Sequence, residues 1–313
     1  MSLAFIFPEQ WSQAVGMGAE LAKSFTAARN VWQEVDEALG QNLFRLMCDG
    51  PEEQLTLTEN AQPALMAASM AVMRVLDEEF SIGVEGAAFV AGHSLGEYSA
   101  LAAAKALSLA DTARLLKLRG QAMQRAVPVG QGAMASLIGP KADVALAEKA
   151  AAAGSEAGVC AVANDNNPGN IVISGDKAAV DRAIEAAKAL GARAILLNVS
   201  APFHCPLMQP AADEMEAALA GAVMSEPIAS LVANVTACPV RRVDSIKAQL
   251  VEQVTGRVRW RESVQFMAGA GVTRFVEVGA GKVLTGMVKR IAPEAETVAL
   301  NSQADLEAFA RSI

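Results

Sequence analysis

Gly92-His93-Ser94-Leu95-Gly96 lies between an apolar run, Ala87 to Ala91, and an Ala-rich helical stretch, Tyr98 to Ala106. A strand that turns sharply into a helix is the unit from which α/β domains are built. The small residues at both ends of this pentapeptide permit such a turn. The rest of the first half fits the same architecture, because short apolar runs alternate with longer helical patterns, as in a mostly parallel sheet with crossover helices. Ala4 to Phe7 and Ala87 to Ala91 are the clearest strands. Gln62 to Glu79 carries apolar residues on nearly every face, so it should lie buried against the sheet. Ser108 opens another helix, with Asp111 three residues on as a variant capping box.

From Gly132 the pattern changes. Strand (Ala133 to Ile138), helix (Lys141 to Ala153), strand (Val159 to Ala163), strand (Asn170 to Ser174), helix (Lys177 to Leu190) and strand (Ala192 to Val199) follow one another. That order is β-α-β-β-α-β, a ferredoxin-like module, with Asn164 to Gly169 as the turn between its central strands. After Ser200 the chain returns to the first architecture, with a strand at Arg274 to Val278. The expected organisation is a large α/β-hydrolase-like domain with a mostly parallel sheet (residues 1–130 and 200–313) and an inserted ferredoxin-like subdomain (131–199). A length of 313 residues suits a core plus a subdomain.

Composition narrows the function classes. A net charge of -8 repels polyanions and argues against nucleic acid as the main partner, so any anionic partner must meet a local basic patch. The cysteines Cys48, Cys160, Cys205 and Cys238 are far apart and show no metal-ligand spacing, so neither a disulfide framework nor a metal site is expected. Reduced thiols suit a cytoplasmic location. Leu3 to Phe7 reads as a short strand and not as a signal peptide, and no apolar run is long enough to span a membrane.

Three side chains carry candidate chemistry. In its strand-turn-helix setting the pentapeptide reads as a nucleophile elbow that thrusts the Ser94 hydroxyl outward and aims Leu95 N–H, at a helix N-terminus, at a developing oxyanion. A serine hydroxyl needs a base. Only two histidines exist; His93 neighbours the serine, where adjacent side chains diverge, which leaves His204 in Ser200-Ala-Pro-Phe-His-Cys-Pro206. Arg119 has Leu115, Leu116, Ala122 and Met123 at helical neighbour positions, so its guanidinium should be buried and in need of an anion. That anion is either a structural carboxylate or the carboxylate of a substrate. Gly279-Ala-Gly-Lys282 and Gly16-Met-Gly18 lack the full spacing of phosphate- or dinucleotide-binding loops and read as turns.

With these residues in place, the chain resembles the malonyl-CoA:acyl carrier protein transacylases, which share their fold with polyketide-synthase acyltransferase domains. The resemblance runs nearly end to end, through Gln62-Pro-Ala-Leu65, Gly92-His-Ser-Leu-Gly-Glu97, Leu118-Arg-Gly-Gln121, Gly132-Ala-Met134, Asn167-Pro-Gly169, Ala201-Pro-Phe-His204 and Glu277-Val-Gly-Ala-Gly-Lys-Val-Leu-Thr-Gly286. It implies that Ser94 is the nucleophile, His204 its base and Arg119 the ligand of the malonyl carboxylate. Gln10 and Leu95 N–H would form the oxyanion site, and the Gln253 carbonyl would orient the histidine, making a dyad. Gln62, His93 and Met123 would line the pocket, and the Phe203 ring would leave little space for an α-methyl branch.

The resemblance further implies ping-pong transfer from malonyl-CoA to the phosphopantetheine thiol of an acyl carrier protein, with no cofactor or metal and no membrane, by a monomer. Docking of an acidic carrier would use a basic patch drawn from Arg257, Arg259, Arg261, Lys282, Lys289 and Arg290. Other readings are an acyltransferase with altered acyl preference, one serving a polyketide carrier, a serine thioesterase or hydrolase, and a carrier-binding scaffold with a dead site. One departure stands out. Where the family's N-terminal signature resembles F-P-G-Q-G-S-Q, this chain reads Phe7-Pro-Glu-Gln-Trp-Ser-Gln13. Glu9 and Trp11 thus replace glycines beside Gln10, and are expected to impair or redirect the malonyl reaction.

Overall fold

The computed structural model describes residues 2–313. Its strands are β1 (Leu3–Phe7), β2 (Phe89–Gly92), β3 (Gly132–Ile138), β4 (Cys160–Asn167), β5 (Asn170–Asp176), β6 (Arg193–Leu196), β7 (Ser230–Val232), β8 (Pro239–Val240), β9 (Arg274–Val278) and β10 (Glu296–Leu300). One sheet has the order β10-β9-β1-β2-β7-β8 and is parallel except at β8, which runs antiparallel to β7. β1 is apolar at successive positions because both of its faces are covered: Phe5 and Phe7 enter one core, Ala4 and Ile6 the other.

The helices that matter for the site are α1 (Thr58–Phe80), α2 (Gly96–Ala103), α3 (Leu109–Ala126), α4 (Val144–Gly154), α5 (Lys177–Ala189), α6 (Val243–Thr255), α7 (Trp260–Gly269) and α8 (Val283–Ile291). α1 is buried along most of its length, as its all-round apolar pattern predicts. Ser108 caps α3, its hydroxyl accepting Asp111 N–H at 3.0 Å. β1 and β2 pair in parallel from Ala4–Phe89 to Phe7–Gly92. The chain therefore leaves both strands at the same end of the sheet, where open α/β sheets place their sites.

The second sheet, β4-β5-β3-β6, is antiparallel throughout and buries Ala135, Leu137 and Ile173 against α4 and α5. Here the expected turn is corrected. Asn164 to Asn167 belong to β4, and the chain reverses only around Pro168 and Gly169. Polar residues suggest a loop, yet all four are buried, and tertiary partners take up Asp165, Asn166 and part of the segment's backbone. Asp165 pairs with Arg261, Asn166 with His93, and the backbone of this segment bonds to Val258. Register shifts in β4 accommodate this detour. Smaller corrections concern ends: α2 stops at Ala103, before Lys105 turns to φ 58, and α4 starts at Val144, after Asp143 caps it.

Candidate active site

The turn after β2 is fixed by sterics. A Cβ on Gly92 would come within 1.9 Å of the Gly96 backbone, and one on Gly96 within 2.3 Å of Phe7 O. Between them Ser94 adopts φ 53, a left-handed conformation that costs a non-glycine residue on the order of 1 kcal/mol or more and persists only where the surroundings enforce it. Asn234 supplies the enforcement: its Oδ1 accepts Ser94 N–H at 2.8 Å, and its Nδ2 donates to Gly92 O at 2.7 Å.

Ser94 Oγ and His204 Nε2 are 2.8 Å apart, and His204 Nδ1 lies 2.8 Å from Gln253 O. A carbonyl can only accept, so Nδ1 carries the proton and Nε2 is left to accept one from the serine. Burial pushes the His204 imidazole down to about 3, and the Arg119 charge adds to this. The ring is neutral at physiological pH, the state a general base requires.

Arg119 is buried on α3. Its Nη1 donates to Gln62 Oε1 at 2.8 Å, and its Nη2 to Gln253 Oε1 at 2.9 Å and Ser94 Oγ at 3.2 Å. Nε has no partner, and among the described residues no carboxylate lies within ion-pair distance of the guanidinium. Of the two anions the sequence left open, a structural carboxylate in direct contact is absent. A buried guanidinium held by neutral groups beside a serine has the donors and the charge to take up an anionic group.

A cavity of about 350 Å³ brings together Gln10, Gln62, His93, Ser94, Arg119, Met123, Phe203 and His204. Gln10 Nε2 donates to Thr58 Oγ1 at 3.1 Å, which holds its carboxamide at the cavity wall, and Leu95 is the N-cap residue of α2, directly after Ser94. The basic patch needs correction. Arg257 pairs with Glu148, Arg259 with Glu262 and Arg261 with Asp165, so these three already have internal anions. Lys282, Lys289 and Arg290 are exposed and have no ion pair among the described residues. Arg290 and Arg193, a residue the sequence did not single out, line a second cavity of about 520 Å³ beside Gly139 and Gly169.

The sequence reading also missed Glu97, Asn166 and Asn234. Each sits in a polar position whose purpose is visible only from partners far away in the chain. Glu9 and Trp11 both line the main cavity: Glu9 Oε2 lies 3.0 Å from His93 Nδ1, and Trp11 stands at φ 82 with a half-exposed ring. Among the described residues no cluster of three or more His, Cys, Asp or Glu side chains could hold a metal ion, and no helix is long and apolar enough to cross a membrane.

Known proteins share this architecture. Residues 4–307 match the acyl transferase domain family. The malonyl CoA-acyl carrier protein transacylase of Escherichia coli (strain K12) is 45% identical over 306 residues, 97% of each chain. The acyl-carrier-protein-S-malonyltransferase structure from Bartonella henselae superposes with a TM-score of 0.97 at 51% identity, covering 100% of this chain and 99% of its own. A malonyl-transacylase solved in complex with its type II PKS acyl-carrier protein gives a TM-score of 0.96 at 41% identity, with full coverage of both chains. Agreement at these levels covers nearly the whole sequence, and on that basis the chain belongs to the acyl transferase domain family.

Proposed function

We propose that this protein transfers a malonyl group from malonyl-CoA to the phosphopantetheine thiol of an acyl carrier protein, through an acyl-enzyme on Ser94. The observation that carries the reading is the juxtaposition of the Ser94–His204 contact with a guanidinium that has no carboxylate of its own. Ser94 Oγ attacks the thioester carbonyl while His204 Nε2 takes its proton; the C–S bond breaks and the proton passes to the departing CoA sulfur. The carrier thiol then gives its proton to His204 and attacks the Ser94 ester, and Ser94 Oγ recovers the proton as the ester C–O bond breaks. Arg119 holds the malonyl carboxylate in both steps, Gln62 and Gln253 aim its guanidinium, and Gln253 O fixes the His204 tautomer. Leu95 N–H and Gln10 face the developing oxyanion, and His93, Met123 and Phe203 shape the acyl pocket.

The thioester supplies the activation, so no cofactor is required. Residues 1–130 and 200–313 form a hydrolase-like catalytic domain in this reading, and 131–199 a ferredoxin-like subdomain, a cytoplasmic monomer overall. The strand order β4-β5-β3-β6 supports the second label. Lys282, Lys289, Arg290 and Arg193 form the docking patch for an acidic carrier, because their charges are not consumed internally. The test is intact-mass detection of a malonyl adduct after incubation with malonyl-CoA, then its transfer to holo carrier. Ser94→Ala should give no adduct, and His204→Ala should slow both half-reactions by ~100-fold or more. Near-normal turnover in either variant refutes the mechanism.

A further inference from the structure

Glu97 is fully buried in the first turn of α2, three residues beyond Ser94, and the reaction as written makes no use of it. Its Oε2 accepts from Gln253 Nε2 at 2.6 Å and from Asn234 N–H at 3.3 Å, while Oε1 has no partner. The same Gln253 carboxamide accepts from Arg119 Nη2 at 2.9 Å through its oxygen, and its Nε2 also donates to Ser94 O at 2.9 Å. One amide therefore separates a buried carboxyl group from a buried guanidinium.

We propose that Glu97 is a positioning residue for the acyl-carboxylate subsite: through Gln253 it fixes the Arg119 guanidinium, and its own charge governs the positive potential Arg119 offers to an acyl carboxylate. The inference rests on the reading that the acyl group carries a carboxylate. A neutral Glu97 leaves Arg119 without an internal anion, so the substrate supplies it. An ionised Glu97 would already compensate Arg119 across the amide, and would repel the incoming carboxylate. Burial pushes the Glu97 carboxyl up to about 8, against the opposing pull of the Gln253 and Asn234 donors and the Arg119 charge, so the neutral form prevails at physiological pH and the charged form appears above it.

The groups around Glu97 isolate this titration. From α3 it is faced by Arg119, and from its own helix by Tyr98, whose phenol burial drives further up, away from the range in question. β1, β2 and β7 contain no ionisable side chain, and the charged residues of α1 (Glu59, Arg74, Asp77, Glu78 and Glu79) lie outside the buried core. On α6 the contact is Gln253, which does not titrate; the neighbouring Glu252 is exposed. His204 and His93 lie beyond Ser94, and both act on any acyl donor.

The experiment measures Ser94 acylation by malonyl-CoA and by acetyl-CoA from about pH 6.5 to about pH 9.5. Both donors use Ser94, His204 and the same leaving thiol, so the ratio of their rates reports the carboxylate subsite alone. The wild-type malonyl-over-acetyl ratio should fall by at least ~5-fold between pH 7 and the alkaline end. Glu97→Gln keeps an oxygen to accept from Gln253 and Asn234 and should hold the ratio flat. A flat wild-type ratio overturns the inference. So does a Glu97→Gln protein that follows the wild-type decline, since the titration would then belong to a group other than Glu97. If that variant does not fold, the wild-type profile decides. Absence of any malonyl adduct at every pH refutes the transfer reading itself, whereas normal adduct formation with a flat ratio refutes only the role of Glu97.

Discussion

Glu9 Oε2 lies 3.0 Å from His93 Nδ1, inside the wall of the cavity that holds Ser94. The contact is a close ion pair without the alignment of a hydrogen bond. His93 Nε2 meets Asn166 Oδ1 at 2.9 Å on its other side. Burial alone would push the His93 imidazole down, but the Glu9 charge and the contacts of both ring nitrogens more than offset it, so its pKa is raised from the ordinary histidine value. The glutamate that replaces a family glycine is therefore not a free charge facing the acyl pocket. It is an anion already matched.

The two histidines should titrate on opposite sides of the ordinary value. With only two in the chain, NMR of histidine-labelled protein resolves them without ambiguity. Glu9→Gln should move the higher of the two downward and leave the lower one nearly in place. If neither moves, Glu9 is not the partner that charges His93.

Trp11 occupies the second former glycine position at φ 82, with its N–H donating to Gln13 Oε1 at 2.7 Å and its ring half exposed. Left-handed backbone costs an L-residue roughly 1–2 kcal/mol, and an exposed ring regains only part of that by burial. Trp11→Gly should raise stability by about 1 kcal/mol in chemical denaturation. Its kcat/KM for malonyl-CoA should increase if the indole narrows the cavity mouth; unchanged stability would show that the ring's contacts fully offset the backbone cost.

Because His204 is held down to about 3, its base form persists as the medium is acidified. Acylation by acetyl-CoA, which has no carboxylate to titrate, should show no loss of kcat/KM near the ordinary histidine pKa of about 6.5. A profile that falls by half there would mean that the imidazole is far better solvated than its burial implies. The same depressed pKa makes folding stability full above the unfolded value and progressively lost as pH falls below it.

Arg119→Ala should reduce transfer of malonyl more than of acetyl, by ~10-fold or more in the ratio, since charge-assisted bonds to a carboxylate are worth roughly 1.5–3 kcal/mol. Equal losses for the two donors would make Arg119 a purely structural residue.

Reversing Arg193 and Arg290 to glutamate should raise the carrier KM several-fold at low salt, with the difference shrinking as salt is added, and should leave Ser94 acylation by malonyl-CoA much less affected. The same reversal at Arg259 and Arg261 should instead destabilise the fold, because Glu262 and Asp165 would lose their partners. An unchanged carrier KM for the first pair would move the docking surface elsewhere.

Local pattern determined much of this protein. The strand-turn-helix around Ser94, the continuous apolar run of β1, the all-round burial of α1 and the burial of Arg119 all follow from spacing and side-chain size over a few residues. Only tertiary structure decided the rest, because it depends on partners far apart in sequence. Asn164 to Asn167 read as a loop until Val258 pairs with their backbone and Arg261 and His93 with Asp165 and Asn166; Arg257, Arg259 and Arg261 read as a free basic patch until their acids close on them. Glu97 and Gln253 stand 156 positions apart, and no periodicity registers a hydrogen bond across that separation. Local sequence sets which segments fold into which element, whereas the charge state of a buried group is set by whatever the fold brings against it.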